Sequence, residues 1–152
     1  MRGTILSVIV GSILLAISAP LTAQETSPEH AAIKAAALDY IEGYFSGDAD
    51  RMVRALHPEL TKVIVMAPQQ GMNAFTRKMT ATELTELARS KRGVIPREQW
   101  GIEVTVLDVH GNMSAVKIVN PKFIDYLQLA KVDGSWKIVN VLWGYPEGSD
   151  KR

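Results

Sequence analysis

The hydrophobic positions follow two kinds of repeat, helical spacing in the first half of the chain and alternation in the second. Between Ile33 and Tyr44, apolar side chains recur every three or four residues, which predicts an amphipathic helix. Ser27-Pro28-Glu29 has the residue types of a helix start, and Gly47-Asp48 has those of a helix end. The pattern therefore predicts a helix that runs to about Ser46.

Two shorter helices are predicted after this one. Asp48 or Asp50 can cap a helix that continues to His57, just before Pro58. The stretch Thr80-Ala81-Thr82-Glu83 has the pattern of a capping box, in which Thr and Glu side chains satisfy each other's backbone amides. A third helix is therefore expected to begin at residue 80 or 81.

The remaining pattern is typical of strands. Residues 61–66 form a short run rich in β-branched side chains, and residues 68–73 have the composition of a loop. Turn signals at residues 110–112 and 133–134, and a bend at Pro121, separate the later runs. Four alternating runs are predicted to be strands: 101–109, 113–120, 122–132 and 135–143. Helices followed by an antiparallel meander predict an α+β domain, with the helices packed on one face of a bent sheet.

Both faces of the last predicted strand are apolar if its side chains alternate strictly. One face would carry Trp136, Ile138 and Leu142, and the other Val139, Val141 and Trp143. A second copy of the chain on the outer face is the simplest cover, so a homodimer is expected. The alternative is a central strand that other elements of the same chain cover.

The first residues have the layout of a secretory signal peptide. Arg2 precedes an apolar run over residues 5–19, Pro20 interrupts it, and the small residue Ala23 stands before Gln24. The alternative is an uncleaved membrane anchor, but a membrane-spanning helix needs about 20 apolar residues and this run is shorter. Cleavage after Ala23 is predicted, with export to the periplasm or the medium and no membrane contact afterwards.

The predicted mature chain contains one domain at residues 24–145 and a flexible tail at residues 146–152. The sequence has 17 basic and 16 acidic side chains, and because Arg2 belongs to the signal segment the mature chain is formally neutral. No electrostatic case for a nucleic-acid partner follows from such a balance. The chain has no cysteine, so disulfides make no contribution in an oxidising compartment.

Three stretches resemble a known family: YIEGYFSGDAD at residues 40–50, ALHP at residues 55–58 and DYLQLAKVDGSWKIVN at residues 125–140. They are similar to the putative lumazine-binding family of the nuclear transport factor 2-like (NTF2-like) superfamily, whose fold is also called cystatin-like. The resemblance implies a cone-shaped, mainly antiparallel sheet wrapped around N-terminal helices, with a pocket at its open end. The superfamily includes ketosteroid isomerase, scytalone dehydratase and polyketide cyclases as well as non-catalytic adaptors.

Two residues are candidates for acid–base chemistry. His57 would lie near the mouth of the cone, where a neutral imidazole can accept a proton near pH 7, or it merely caps the end of a helix. Asp125 shares a strand face with Phe123 and Leu127, so it is expected to be buried. Burial raises the pKa of a carboxyl and suits acid–base work, whereas pairing with a donor would only fix the strand.

Four further residues are candidates for ligand binding. By strict alternation Trp136 and Asn140 share one face, and an aromatic wall with an amide suits a flat heterocycle such as a pterin or lumazine. Tyr40 and Tyr44 lie four residues apart on one helix face, from which their hydroxyls can reach a pocket. Ordinary core packing is the alternative for each of these side chains.

No metal site or cofactor is predicted, because three scattered histidines and no cysteine offer no ligand spacing of the kind zinc requires. Three functions stay open from the sequence. They are binding of a small apolar or heterocyclic molecule, catalysis by a cofactor-independent isomerase, dehydratase or cyclase, and a homodimeric structural or partner-binding role.

Overall fold

All three predicted helices form in the structure, which is a computed structural model. The structure describes residues 27–66 and 75–148. Helix α1 spans Pro28–Ser46, α2 spans Ala49–Ala55 and α3 spans Ala81–Arg89. None of the helices in these residues is long and apolar enough to cross a membrane.

Side-chain caps explain where the helices begin. The hydroxyl of Ser27 accepts a hydrogen bond from a first-turn amide of α1 at 3.1 Å, and the Asp48 carboxylate does the same for α2 at 3.1 Å. At α3 the capping box is complete, because Thr80 and Glu83 each accept a hydrogen bond from the other's backbone amide. Each cap satisfies amides that have no partner within the helix, so these starts could be read from local sequence.

Six strands form one sheet in the order β2-β1-β6-β5-β4-β3. Their bounds are β1 Leu56–Met66, β2 Phe75–Thr80, β3 Glu103–His110, β4 Met113–Val119, β5 Ile124–Val132 and β6 Ser135–Gly144. Neighbouring strands are antiparallel except β1 and β6, which are parallel. The helices lie on one side of this mostly antiparallel sheet, so the predicted α+β cone-like fold is confirmed.

Two sequence predictions about the first half of the sheet need correction. Residue 57 was expected to end a helix, but α2 stops at Ala55 and His57 lies in β1. Strand β2 was not predicted, because its sequence Phe-Thr-Arg-Lys-Met-Thr is mostly polar and has no alternating apolar pattern. The strand forms because it pairs with β1, a contact that its own residues do not reveal. The predicted signal segment and the loop at 68–73 lie outside the described residues, which include only 146–148 of the predicted tail.

A β-bulge in β6 changes which side chains face the helices. Gln128 pairs with Asn140, but the next residue of β5, Leu129, pairs with Ile138, so Val139 is an extra residue in β6. The prediction that Asn140 shares a face with Trp136 is therefore wrong. The extra residue also places the following four side chains on the faces opposite to those expected from strict alternation.

The bulge places four apolar side chains of β6 on the inner face of the sheet, which the helices cover. These side chains are Trp136, Ile138, Val141 and Trp143. They pack against buried α1 residues that include Ile33, Ile41 and Phe45. Fully burying a side chain of this size contributes about 1.5–3 kcal/mol. The expectation that both faces of this strand carry three large apolar side chains is therefore wrong.

The outer face of the sheet still exposes some large hydrophobic side chains. Leu107 is 51%, Tyr126 47% and Leu142 50% exposed. They share this face with Gln128 and Asn140, whose side chains are hydrogen-bonded to each other at 3.2 Å. The homodimer expected from the sequence stays a prediction.

Deleting Val139 should remove the bulge and cost only about 1–2 kcal/mol, because Asn140 would still pair with Gln128 and both Val141 and Trp143 would still face the core. Deleting Val141 instead should unfold the protein or cost about 4 kcal/mol or more, because either Trp143 turns outward or Asn140 turns into the core. Urea unfolding followed by circular dichroism measures both. Equal midpoints for the two deletions would contradict this role of the bulge.

Candidate functional site

A cavity of about 260 Å³ lies between the helices and the end of the sheet where β1 and β6 finish. Its lining comes from α1, α3, β1, β2 and β6 and from residues that flank β5 and β6. Five aromatic side chains line it: Tyr40, Tyr44, Phe123, Trp143 and Tyr145. Four aliphatic side chains line it: Ile41, Met79, Leu84 and Leu87. Among the residues that the structure describes, the rest of the lining consists of the cations Lys62 and Arg77.

Lys62 is held in the wall of this cavity by a buried ion pair. On β1, Leu60, Lys62 and Ile64 point to the same buried side, so the lysine ammonium enters the core. Its Nζ lies 2.7 Å from Asp125 Oδ1. The Lys62 side chain is 8% exposed and that of Asp125 is 0% exposed. Burying two charges is costly unless they are paired and hydrogen-bonded, and this geometry meets both conditions.

Tyr40 completes a closed triangle with the ion pair. Its hydroxyl accepts a hydrogen bond from Lys62 Nζ at 2.5 Å and donates one to Asp125 Oδ1 at 3.2 Å. The three residues come from α1, β1 and β5, so the triangle joins elements that are far apart along the chain. Asp125 Oδ2 and Trp143 Nε1 are buried and have no hydrogen-bond partner in the described part of the chain.

Aromatic rings surround the lysine ammonium. Lys62 Nζ lies 4.6 Å from the ring centroid of Trp143, 5.3 Å from that of Tyr40 and 5.7 Å from that of Phe123. These distances are within the range of cation–π attraction. The rings therefore stabilise the positive charge of Lys62 and screen it from bulk water.

The two tyrosines of α1 keep their hydroxyl protons at neutral pH. Burial raises the pKa of Tyr40 well above its ordinary value of 10.0, and the negative charge of Asp125 raises it further. Burial also raises the pKa of Tyr44, with a smaller contribution from Tyr145. Both hydroxyls are consequently hydrogen-bond donors at the wall of the cavity.

A glycine lets the chain approach the Tyr44 ring closely. A Cβ atom at Gly93 would lie 2.4 Å from Tyr44 Cε1, which is far inside van der Waals contact. The segment after α3 can therefore pack on this ring only with glycine at position 93. Together with the edge-to-face contact to Phe123, at 6.0 Å between centroids, this packing fixes the ring at the cavity.

Arg77 brings a second positive charge to the cavity from the exposed strand β2. The nearby Glu83 carboxylate is occupied by the capping box, where it accepts hydrogen bonds from the Thr80 amide at 2.6 Å and hydroxyl at 3.0 Å. These bonds, and to a smaller extent the charge of Arg77, lower the pKa of Glu83. No carboxylate of residues 27–66 or 75–148 lies within ion-pair distance of Arg77.

Of the residues predicted for acid–base chemistry, Asp125 lies directly behind the cavity wall and His57 lies elsewhere. His57 borders a separate surface groove with Val132 and Lys137, at the opposite end of the β1–β6 pair. Its Nδ1 accepts a hydrogen bond from the Glu59 amide at 3.2 Å. The expected position of His57 at the mouth of the cone is therefore wrong. Strand β1 begins at Leu56, so His57 lies at the start of this strand, whereas the cavity lies near the strand's other end.

Of the residues predicted for ligand binding, Tyr40 and Tyr44 line the cavity, whereas Trp136 and Asn140 do not. The Trp136 indole is buried near the start of α1, where its Nε1 donates to the Glu29 carboxylate at 2.8 Å. Asn140 lies on the outer face because of the bulge at Val139. That Tyr40 and Tyr44 bind a ligand stays a prediction.

Lys62 was not among the predicted site residues. Like Asp125, however, it is a charged residue between apolar residues on one strand face. Two opposite charges in one core are expected to pair. Arg77 and Tyr145, which were also missed, lie in segments without a regular apolar pattern. Across residues 27–66 and 75–148, no group of three His, Cys, Asp or Glu side chains could hold a metal ion.

Removing one partner of the buried ion pair should destabilise the protein by about 3–5 kcal/mol, because the other charge then lacks compensation. We expect this loss for Lys62→Met and for Asp125→Leu, while the double variant should cost no more than either single change. Chemical denaturation of all three variants gives the coupling energy.

The variant Lys131→Met provides the matched control for this cycle. Lys131 is paired with Glu29 at 2.6 Å on the surface, so its loss should change stability little. A Lys62→Met variant as stable as Lys131→Met would show that the buried pair is dispensable.

Comparison with known proteins agrees with this fold. The model of the family described as "Putative lumazine-binding" matches residues 28–144. An NTF2-like protein of unknown function from Silicibacter pomeroyi has a TM-score of 0.66 at 17% identity, over 80% of this chain and 98% of that one. An NTF2-like protein of unknown function from Methylobacillus flagellatus has a TM-score of 0.57 at 23% identity, over 80% and 96% of the two chains.

No curated protein matches the sequence. The likeness to the two solved structures shows a shared fold, and the family match covers every element from α1 to β6. The chain therefore belongs to the putative lumazine-binding family, and it shares its fold with the NTF2-like proteins of known structure.

Proposed function

We propose that this protein is an exported small-molecule-binding domain whose ligand occupies the aromatic cavity. The observation that supports binding most strongly is the composition of the lining, in which five aromatic and four aliphatic side chains surround about 260 Å³. Ligand sites are typically apolar concavities with a few fixed polar groups, and Lys62 and Tyr40 supply such groups here. Export is proposed from residues 1–23, which have the pattern of a signal peptide.

The size and shape of the lining favour a flat ligand of one or two rings. Trp143 and Tyr145 meet edge to face at 5.4 Å between centroids, and Phe123 meets Trp143 in the same way at 5.4 Å. Such an arrangement presents both ring faces and ring edges to a bound molecule. Lumazine, which the description of the family names, and the related pterins are flat two-ring compounds with hydrogen-bonding edges.

A second candidate function is catalysis by a cofactor-independent isomerase, dehydratase or cyclase. The buried cluster of Tyr40, Lys62 and Asp125 favours it, because a hydroxyl and an ammonium that face an apolar cavity can stabilise developing negative charge on a carbonyl oxygen. His57 and Asn140 do not line this cavity, so neither is assigned a role in this candidate reaction. Binding without turnover is the first proposal, because Tyr40 and Lys62 already donate hydrogen bonds to the same oxygen of Asp125.

A thermal-shift screen against lumazine, pterins, flavins and steroids tests the binding proposal. A ligand at about 100 times its Kd stabilises the native state by about 2.7 kcal/mol, or roughly 10 °C in Tm. Leu87→Trp should abolish the shift because it fills the cavity. Leu142→Trp, the same substitution on the exposed outer face, should leave the shift unchanged.

The outcomes of the screen separate the candidates. A shift that Leu87→Trp removes supports binding in the cavity, and conversion of the same compound in an NMR time course would favour the enzyme. An equal shift in both variants would place the ligand elsewhere. Failure of every flat heterocycle and steroid to shift the Tm would contradict the proposal.

A further inference from the structure

We propose that the ligand is a planar anion, an aromatic or heterocyclic acid bound as its conjugate base, with its charged oxygen on Lys62. This inference rests on the proposed binding function and adds the chemical class of the ligand. It is supported by the charges in the wall, by the hydrogen-bond donors that are already used, and by the rings that surround the ammonium.

The wall of the cavity has a positive balance of charge. Lys62 and Arg77 both line it, and no carboxylate from the described residues, 27–66 and 75–148, belongs to the lining. Asp125 lies behind Lys62 and balances it at 2.7 Å. Arg77 has no ion-pair partner among the described residues, because Glu83, its acidic neighbour, points into the capping box and acts on it only at longer range. A cationic ligand would be repelled, while an anion would complete the balance.

Lys62 has one N–H donor that has no acceptor among residues 27–66 and 75–148 and is left for a ligand. An ammonium group carries three N–H donors. Two are used by Asp125 Oδ1 at 2.7 Å and by the Tyr40 hydroxyl at 2.5 Å. Because these partners hold the side chain in place, the third N–H is fixed before a ligand arrives. A hydrogen bond from an ammonium to an anionic oxygen is shorter and stronger than one between neutral groups.

The surroundings of Lys62 increase the preference for an anion. The ammonium is nearly buried among Tyr40, Phe123 and Trp143, where the local dielectric is low and electrostatic attraction is strong. The same rings accept a flat ring system beside the charged oxygen. Both parts of the expected ligand, a planar ring and an acidic oxygen, thus have a matching group in the wall.

The test compares 2-naphthoate with 2-naphthamide, which have nearly the same shape but differ in charge. Isothermal titration calorimetry with the full domain at neutral pH should show that naphthoate binds about tenfold more tightly. Arg77→Gln should weaken naphthoate by about threefold and leave naphthamide unchanged, since an exposed charge contributes modestly. Arg77 is exposed, so this variant should fold normally.

Lys78→Gln is the matched control. Lys78 follows Arg77 on β2 and is also exposed, but it does not line the cavity. The same loss of one positive charge should therefore leave the affinity for naphthoate unchanged. Equal effects of the two variants would mean that overall charge governs the affinity, and would overturn the inference.

The inference and the binding proposal fail in different ways. If naphthamide binds as tightly as naphthoate, the anion preference is wrong but binding in the cavity stands. If neither compound binds while neutral heterocycles or steroids still raise the Tm, the inference is again overturned and the binding proposal survives. If neither compound binds and the whole thermal-shift screen is negative, both proposals fall.

Discussion

The buried pair of Lys62 and Asp125 constrains the whole inner face of the sheet. Each charge would be expensive alone in the core, so α1, β1 and β5 must meet where the ammonium, the carboxylate and the Tyr40 hydroxyl can satisfy one another. A packed apolar core tolerates small shifts, but a hydrogen-bonded triangle with contacts of 2.5–3.2 Å does not. The cost of leaving either charge unpaired thus fixes the position of the wall that faces the cavity.

The bulge at Val139 determines what the last strand contributes to this arrangement. It places Trp136 and Trp143 on the same side of β6, near opposite ends of the strand. Trp136 is tied to Glu29 at the start of α1, and Trp143 covers the ammonium of Lys62. One extra residue therefore lets a single strand both fasten the first helix and close the ion-pair site.

The parts of the fold that depend on neighbouring residues could be predicted from the sequence. The three helix starts have local caps, and the two glycine-containing turns of the meander have local signals. Strand β2 and the bulge depend on pairing with distant strands, and nothing in their own residues reveals them. The face of Asn140 was predicted wrongly for this reason, because strict alternation fails one residue before it. Asp125 was found from its apolar strand face, and Lys62 carries the same local signal, but the pairing of the two side chains depends on which strands lie together.

The most direct test of the buried ion pair is heteronuclear NMR of the lysine ammonium groups at near-neutral pH. Solvated ammonium protons exchange rapidly with water, while those held by buried partners exchange slowly. The structure predicts a slowly exchanging Nζ signal that disappears in Lys62→Arg, with the other resonances of the folded protein retained. Rapid exchange of the Lys62 ammonium, or persistence of the slow signal in that variant, would contradict the claim that this pair holds the cavity wall in place.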